Sequence, residues 1–111
     1  MSEISGYISD FLKALSDQTR LDILFLLQKE PRTSADLQEL LKKSQSTISQ
    51  HLKILFSNEL ISYEKKEKEN LYSIKDVQTS NFLSEVNSFV IQKNKEKLED
   101  FIDSDLRDIL P

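Results

Sequence analysis

The sequence predicts a single, mainly α-helical domain with one small β-hairpin, and three observations carry that expectation. The chain has 111 residues, 38% hydrophobic and 31% charged, enough for one modest core and too few for two domains. Gly6 is the only glycine and Pro31 the only internal proline, so the tight turns of an all-β sandwich are not available. Apolar residues recur at spacings of three and four along most of the chain, and strict alternation is confined to two short stretches.

Ile4, Tyr7, Ile8, Phe11, Leu12 and Leu15 fall at i, i+3, i+4, i+7, i+8 and i+11, the one-sided stripe of an amphipathic helix over residues 1–15. Ser16 and Asp17 are capping types, and the LDILFLL run after them is apolar on nearly every side, so the second helix belongs in the middle of the fold. Pro31 separates it from the third helix. Thr33 stands three residues before Asp36 and just ahead of Leu37, Leu40 and Leu41, a capping-box pattern that opens this short third helix, closed by Lys42 and Lys43. Ser44 caps a fourth helix, in which Ile48, Leu52 and Leu55 face inward and Gln45, Ser46, Ser49, Gln50 and Lys53 face outward. Ile61 and Tyr63 alternate with Ser62 and Glu64, and Tyr72 and Ile74 with Leu71 and Ser73. These are two short strands, with Glu67 to Asn70 as the tip between them. From Thr79 onward Phe82, Val86, Phe89, Val90, Leu98, Phe101, Ile102, Leu106 and Ile109 keep helical spacing. One long last helix over residues 77–110 is expected, the polar QKNKEK stretch marking the place for a bend or break.

Two short helices with a tight connection, followed at once by a hairpin, make a winged helix-turn-helix, in which the second helix enters the DNA major groove. Residues 16–75 hold these parts. Local charge agrees with that reading. The chain carries a net −4, yet the segment from Lys42 to Lys75 is +3, with the segments before and after it at −3 and −4. Gln45, Ser46, Thr47, Ser49, Gln50 and Lys53 are the candidates on the reading helix. Gln pairs with adenine N6 and N7, and Ser and Thr reach base edges or phosphates. Lys65, Lys66 and Lys68 on the hairpin are candidates for phosphate contacts, against the competing reading that they, with Glu64, Glu67 and Glu69, merely keep a sheet edge soluble. His51 reads as packing at the helix margin. The stripes Ile4, Tyr7, Ile8, Phe11 and Phe82, Val86, Phe89, Val90 exceed what the winged core needs, and are expected to form the seam of a homodimer.

Composition excludes other classes. With no cysteine there is no disulfide scaffold, thiolate metal site or dithiol switch, and a reducing cytoplasm fits best. The first fifteen residues lack a basic start followed by an apolar run, and no stretch reaches the length of a membrane span. No phosphate-binding glycine loop or Cys–His pairing is present, so neither an enzyme nor a bound cofactor is expected.

The segments FLKALSDQTRLDILFLL, SADLQELL, SQSTISQHLKIL and NELISYEKKEKENLYSI together resemble the ArsR/SmtB family of winged-helix repressors, from Phe11 to Ile74. The resemblance implies a dimer formed by the first and last helices, which binds a palindromic operator in double-stranded DNA and leaves it when an effector arrives. It also implies a metal site that this chain lacks. The family's cysteine-x-cysteine pair stands immediately before an Asp-Leu matched here by Asp36 and Leu37, and Thr33 and Ala35 occupy the cysteine positions. A second family site uses His on the last helix, and Val77 to Pro111 contain none. The usual glycine of the wing tip is missing, and Gln50 replaces the arginine often found before the His-Leu pair. The expectation is a sequence-specific DNA-binding regulator of repressor type, without the family's metal ligands and with an unassigned effector. A protein-interaction module using an acidic surface, or a low-specificity DNA architectural protein, are the alternatives.

Overall fold

The structure, a computed structural model, describes residues 2–102, with the side chains of residues 3–98. Their order is α1 (Ser2–Leu15), α2 (Gln18–Lys29), β1 (Arg32–Thr33), α3 (Ser34–Leu41), α4 (Gln45–Ser57), β2 (Ile61–Lys66), β3 (Glu69–Ile74), α5 (Val77–Lys93) and α6 (Lys95–Ile102). This is a mainly helical winged fold, as the spacing of apolar and alternating residues predicts.

Side-chain caps decide where the helices start. The Asp17 carboxylate accepts from the Arg20 N–H at 3.0 Å and opens α2. Thr33 and Asp36 form the reciprocal capping box at α3, and Ser44 accepts from the Thr47 N–H at α4. Asp76 takes both the N–H and the hydroxyl of Thr79 at α5. Each such cap satisfies a donor that has no partner inside the helix.

Five consecutive residues of α2, Ile23 to Leu27, are buried, so this helix is wrapped on every side. Leu37 of α3, Ile48, Leu52 and Leu55 of α4, Leu60 just before β2, Ile61 at its start, and Leu83 of α5 close around it. The Gln28 amide donates to the Ser80 carbonyl at 2.8 Å, seating α5 across α2.

The sheet has strand order β1-β3-β2, all antiparallel. Strand β1 is not predicted from the sequence, because two residues are too few to show alternation. The hairpin also differs from expectation. Lys65 pairs with Asn70 and Lys66 with Glu69, so the tip is Glu67 and Lys68 alone rather than Glu67 to Asn70. A two-residue turn needs a left-handed backbone, which Glu67 adopts at φ 55 without being glycine.

The last helix is interrupted inside QKNKEK. Asn94, at φ −117 and ψ 27, ends α5 while its side-chain amide donates to the Val90 carbonyl, and α6 resumes at Lys95. A short polar side chain that competes for helix carbonyls is a natural place for the break. Leu106 and Ile109 of the predicted stripe lie outside the described residues.

Candidate nucleic-acid interface

The connection between α3 and α4 is the three residues Lys42, Lys43 and Ser44. Lys42 takes a left-handed conformation, φ 55 and ψ 48, and the Lys43 N–H donates to the Gln38 carbonyl at 3.2 Å. This sharp reversal lets α4 lie across α3 with Ile48, Leu52 and Leu55 plugged into the core. The opposite side of α4 is thereby turned to solvent. Gln45, Ser46, Ser49, Gln50 and Lys53 are all exposed.

Thr47 stands apart from that row. It is half-buried, and its N–H and hydroxyl are both engaged by Ser44 Oγ, at 3.2 and 2.9 Å. Its hydroxyl oxygen accepts from Ser44, which leaves its own proton to donate. Ser44, which the sequence marks only as a cap, lies 3.2 Å from Ser46 Oγ and joins the same hydroxyl cluster at the start of α4.

The wing is braced against α4 by aromatic contacts that the sequence pattern does not assign. Phe56 of α4 and Tyr63 of β2 have ring centroids 5.4 Å apart, and Tyr63 and Tyr72 of β3 are 5.7 Å apart. The Tyr63–Tyr72 contact follows from strand register, since these residues face each other directly. Register is the only signal for it, and register depends on knowing the turn.

All three wing lysines are exposed, but they are not equivalent. Side chains alternate between faces along a strand. Lys66 shares a face with Glu64, whose carboxylate is 3.3 Å away. Lys65 shares the face of Tyr63, the side that packs on α4. Lys68, at the tip, lines a cleft together with Gln45 and Ser49 of α4 and Asn70 of β3. Lys68 and the amino end of α4 thus flank one continuous surface.

His51 is half-buried at the α4 margin, as expected. Its Nδ1 lies 3.1 Å from an Arg20 guanidinium nitrogen and 3.9 Å from the Asp17 carboxylate.

The two apolar stripes meet at one place within the chain. Phe11 is half-buried against the core and tilts onto Phe82 at 5.9 Å. Val86 is also half-buried, while Ile4, Tyr7, Ile8, Leu12, Phe89 and Val90 are left exposed. In α5, seventeen residues long, Leu83 alone is buried.

The family's thiolate site does not fit these residues. Thr33 uses its hydroxyl to cap α3, Ala35 has no donor, and the Asp36 carboxylate is bound to the Thr33 N–H at 3.0 Å. Among the described residues no three His, Asp or Glu side chains converge on a common point, and the chain has no cysteine. Among the same residues no helix is long and apolar enough to cross a membrane.

Residues 17–63 match the family described as bacterial regulatory protein, arsR family. The arsenical resistance operon repressor of Bacillus subtilis is 35% identical over 96 residues, covering 86% of this chain and 91% of that one. NolR from Sinorhizobium fredii superposes with a TM-score of 0.73 at 28% identity, over 79% of this chain and 88% of NolR. A homodimeric winged helix-turn-helix DNA-binding domain from Mycobacterium bovis superposes with a TM-score of 0.75, over 86% of this chain and 87% of that one. Its 21% identity makes that likeness one of fold. Since the sequence match runs along nearly the whole of a repressor and the winged fold is in place, the chain belongs to the arsR family of bacterial DNA-binding transcriptional regulators.

Proposed function

We propose that the protein is a transcriptional repressor that works as a homodimer on a palindromic operator, with no thiolate metal sensor. Two copies join along α1 and α5, and each presents α4 to a major groove and its wing to the flanking phosphates. The observation that carries this reading is the outer row of α4. Five polar or basic side chains, Gln45, Ser46, Ser49, Gln50 and Lys53, stand exposed on a helix whose other side is fixed by three core residues. A rigid helix with hydrogen-bonding groups on its open side suits base-edge recognition. Homodimerisation of the Mycobacterium bovis domain supports the assembly, as do the apolar side chains that α1 and α5 leave in solvent.

Binding to duplexes selected from a randomised pool, followed by fluorescence anisotropy at physiological salt, tests the reading. A selected palindrome should bind at least about a thousandfold more tightly than random DNA. Equal affinity for both would leave only a non-specific DNA coat.

A further inference from the structure

We propose that Arg20 is a positioning residue for DNA reading: one guanidinium ties the carboxyl end of α1 to His51 of the recognition helix and so sets the orientation of α4 relative to the dimer seam. The proposal rests on the reading of α4 as the DNA-contacting helix.

Arg20 sits in the first turn of α2, next to both partners. Its Nε donates to the Ala14 carbonyl at 2.6 Å and its Nη2 to the Lys13 carbonyl at 3.2 Å. Carbonyls in the last turn of a helix have no intrahelical donor, and a cation there also meets the negative end of the helix dipole. The remaining arm, Nη1, lies 3.1 Å from His51 Nδ1. A guanidinium only donates, so this contact requires a free lone pair on Nδ1. Three arms of one planar group are thus spread over two helices, and the Asp17 carboxylate holds the Arg20 N–H from behind.

The apolar anchors of α4 cannot supply the same information. Burial of Ile48, Leu52 and Leu55 holds the helix in its trough, but hydrophobic contact is non-directional and permits small rolls about the helix axis. A hydrogen bond is directional. His51 adjoins Gln50 and Leu52 in sequence, so a roll that breaks the Arg20 contact re-aims the outer row. In a dimer the two recognition helices must lie about 34 Å apart to meet successive major grooves, which makes their orientation relative to the seam part of operator selection.

The test uses the intact dimer and two probes: a palindromic duplex selected by the wild-type protein from a randomised pool, and the same duplex with one base pair inserted at its centre. The wild type should discriminate between them by about tenfold or more. His51→Leu keeps a bulky side chain but removes the acceptor, and should reduce that discrimination to about threefold or less while leaving binding to random DNA unchanged. His51→Asn places its Oδ1 where Nδ1 stood and should restore discrimination. His51→Gln, whose acceptor lies one bond further out, should not. Where sedimentation finds His51→Leu no longer a folded dimer, Arg20→Lys takes its place, retaining charge without the planar fork. A folded variant of either kind with wild-type spacing discrimination overturns the proposal, as does failure of Asn to rescue. Selection of no duplex by the wild type removes the DNA reading of α4 itself. That outcome is distinct from a variant that matches a selective wild type.

Discussion

Single residues in this chain carry opposite electrostatic signs, and their pH dependence separates them. The Arg20 N–H bonded to Asp17 holds that carboxyl below its usual range, with burial opposing and His51 and Arg20 adding to the lowering. Asp76 is lowered too, chiefly by the Thr79 N–H and hydroxyl. A carboxylate depressed in the folded state stabilises fully above its ordinary value of 3.8, and the gain disappears as pH falls through the lowered folded value. Asp22 runs the other way. Burial raises it, partly offset by Lys43, so its charged form weakens the fold as pH rises past 3.8 toward the raised value. Asp17→Ala should therefore cost about 1 kcal/mol at pH 7 in thermal or urea unfolding, with the deficit shrinking in acid. An unchanged deficit at low pH would mean the loss is not that of a charged cap. Base and phosphate contacts also divide by residue. Gln50→Ala should relax preference at particular base pairs. Lys68→Ala should weaken binding to all duplexes and flatten the salt dependence by about one unit per lost contact, two per dimer. Identical effects of the two changes on specificity would refute this division. Lys66 suits the test less well, because its ammonium lies 3.3 Å from the Glu64 carboxylate.

At the scale of elements, what is legible in the sequence depends on how many residues carry the signal. The caps at Asp17, Thr33 and Ser44 are each a local pattern of four residues, and all three open the helices they mark. The outer row of α4 is equally plain, because Ile48, Leu52 and Leu55 fix which side faces in. Strand β1 is invisible at two residues, and the expected wing tip is too wide for lack of a glycine to mark the turn. The contacts that brace the wing, Phe56 to Tyr63 to Tyr72, join residues that become neighbours only through register and a tertiary approach. The contact between Thr47 and the Ser44 cap is hidden for a related reason, since Ser44 Oγ donates to the Thr47 hydroxyl only once the first turn of α4 has formed. The short tip has its own energetic consequence. A non-glycine residue at φ 55 is strained by roughly 1 kcal/mol relative to glycine. Glu67→Gly should relieve that strain and raise the midpoint of thermal unfolding, without altering the order of affinity among duplexes. A lowered midpoint would show that Glu67 makes a compensating contact.

On the scale of the whole molecule, α1 and α5 leave large apolar side chains in solvent, and the chain has one histidine and no cysteine. Phe89, 63% exposed on a helix with one buried residue, belongs to the proposed seam between copies. Phe89→Asp should give monomer or unfolded chain, because a buried unpaired charge costs several kcal/mol. A well-folded dimer of this variant in sedimentation would move the seam elsewhere. Sensing is bounded by ligand arithmetic. A zinc site takes about four N, S or O ligands, usually with His or Cys among them. The chain offers one imidazole and no thiol. That imidazole, His51, is 3.1 Å from the Arg20 guanidinium, a cation that opposes a second cation at the same nitrogen. In the proposed DNA-bound dimer, distance argues against sharing one ion between the His51 residues of two copies. Recognition helices in successive grooves are about 34 Å apart, whereas metal–nitrogen bonds are about 2 Å long. Operator binding should therefore be indifferent to stoichiometric zinc, copper, nickel, cobalt, cadmium and arsenite, measured by anisotropy against a chelator control. A reversible loss of tenfold or more with any of them, about 1.4 kcal/mol of coupling, would overturn the assignment of a repressor without a metal sensor.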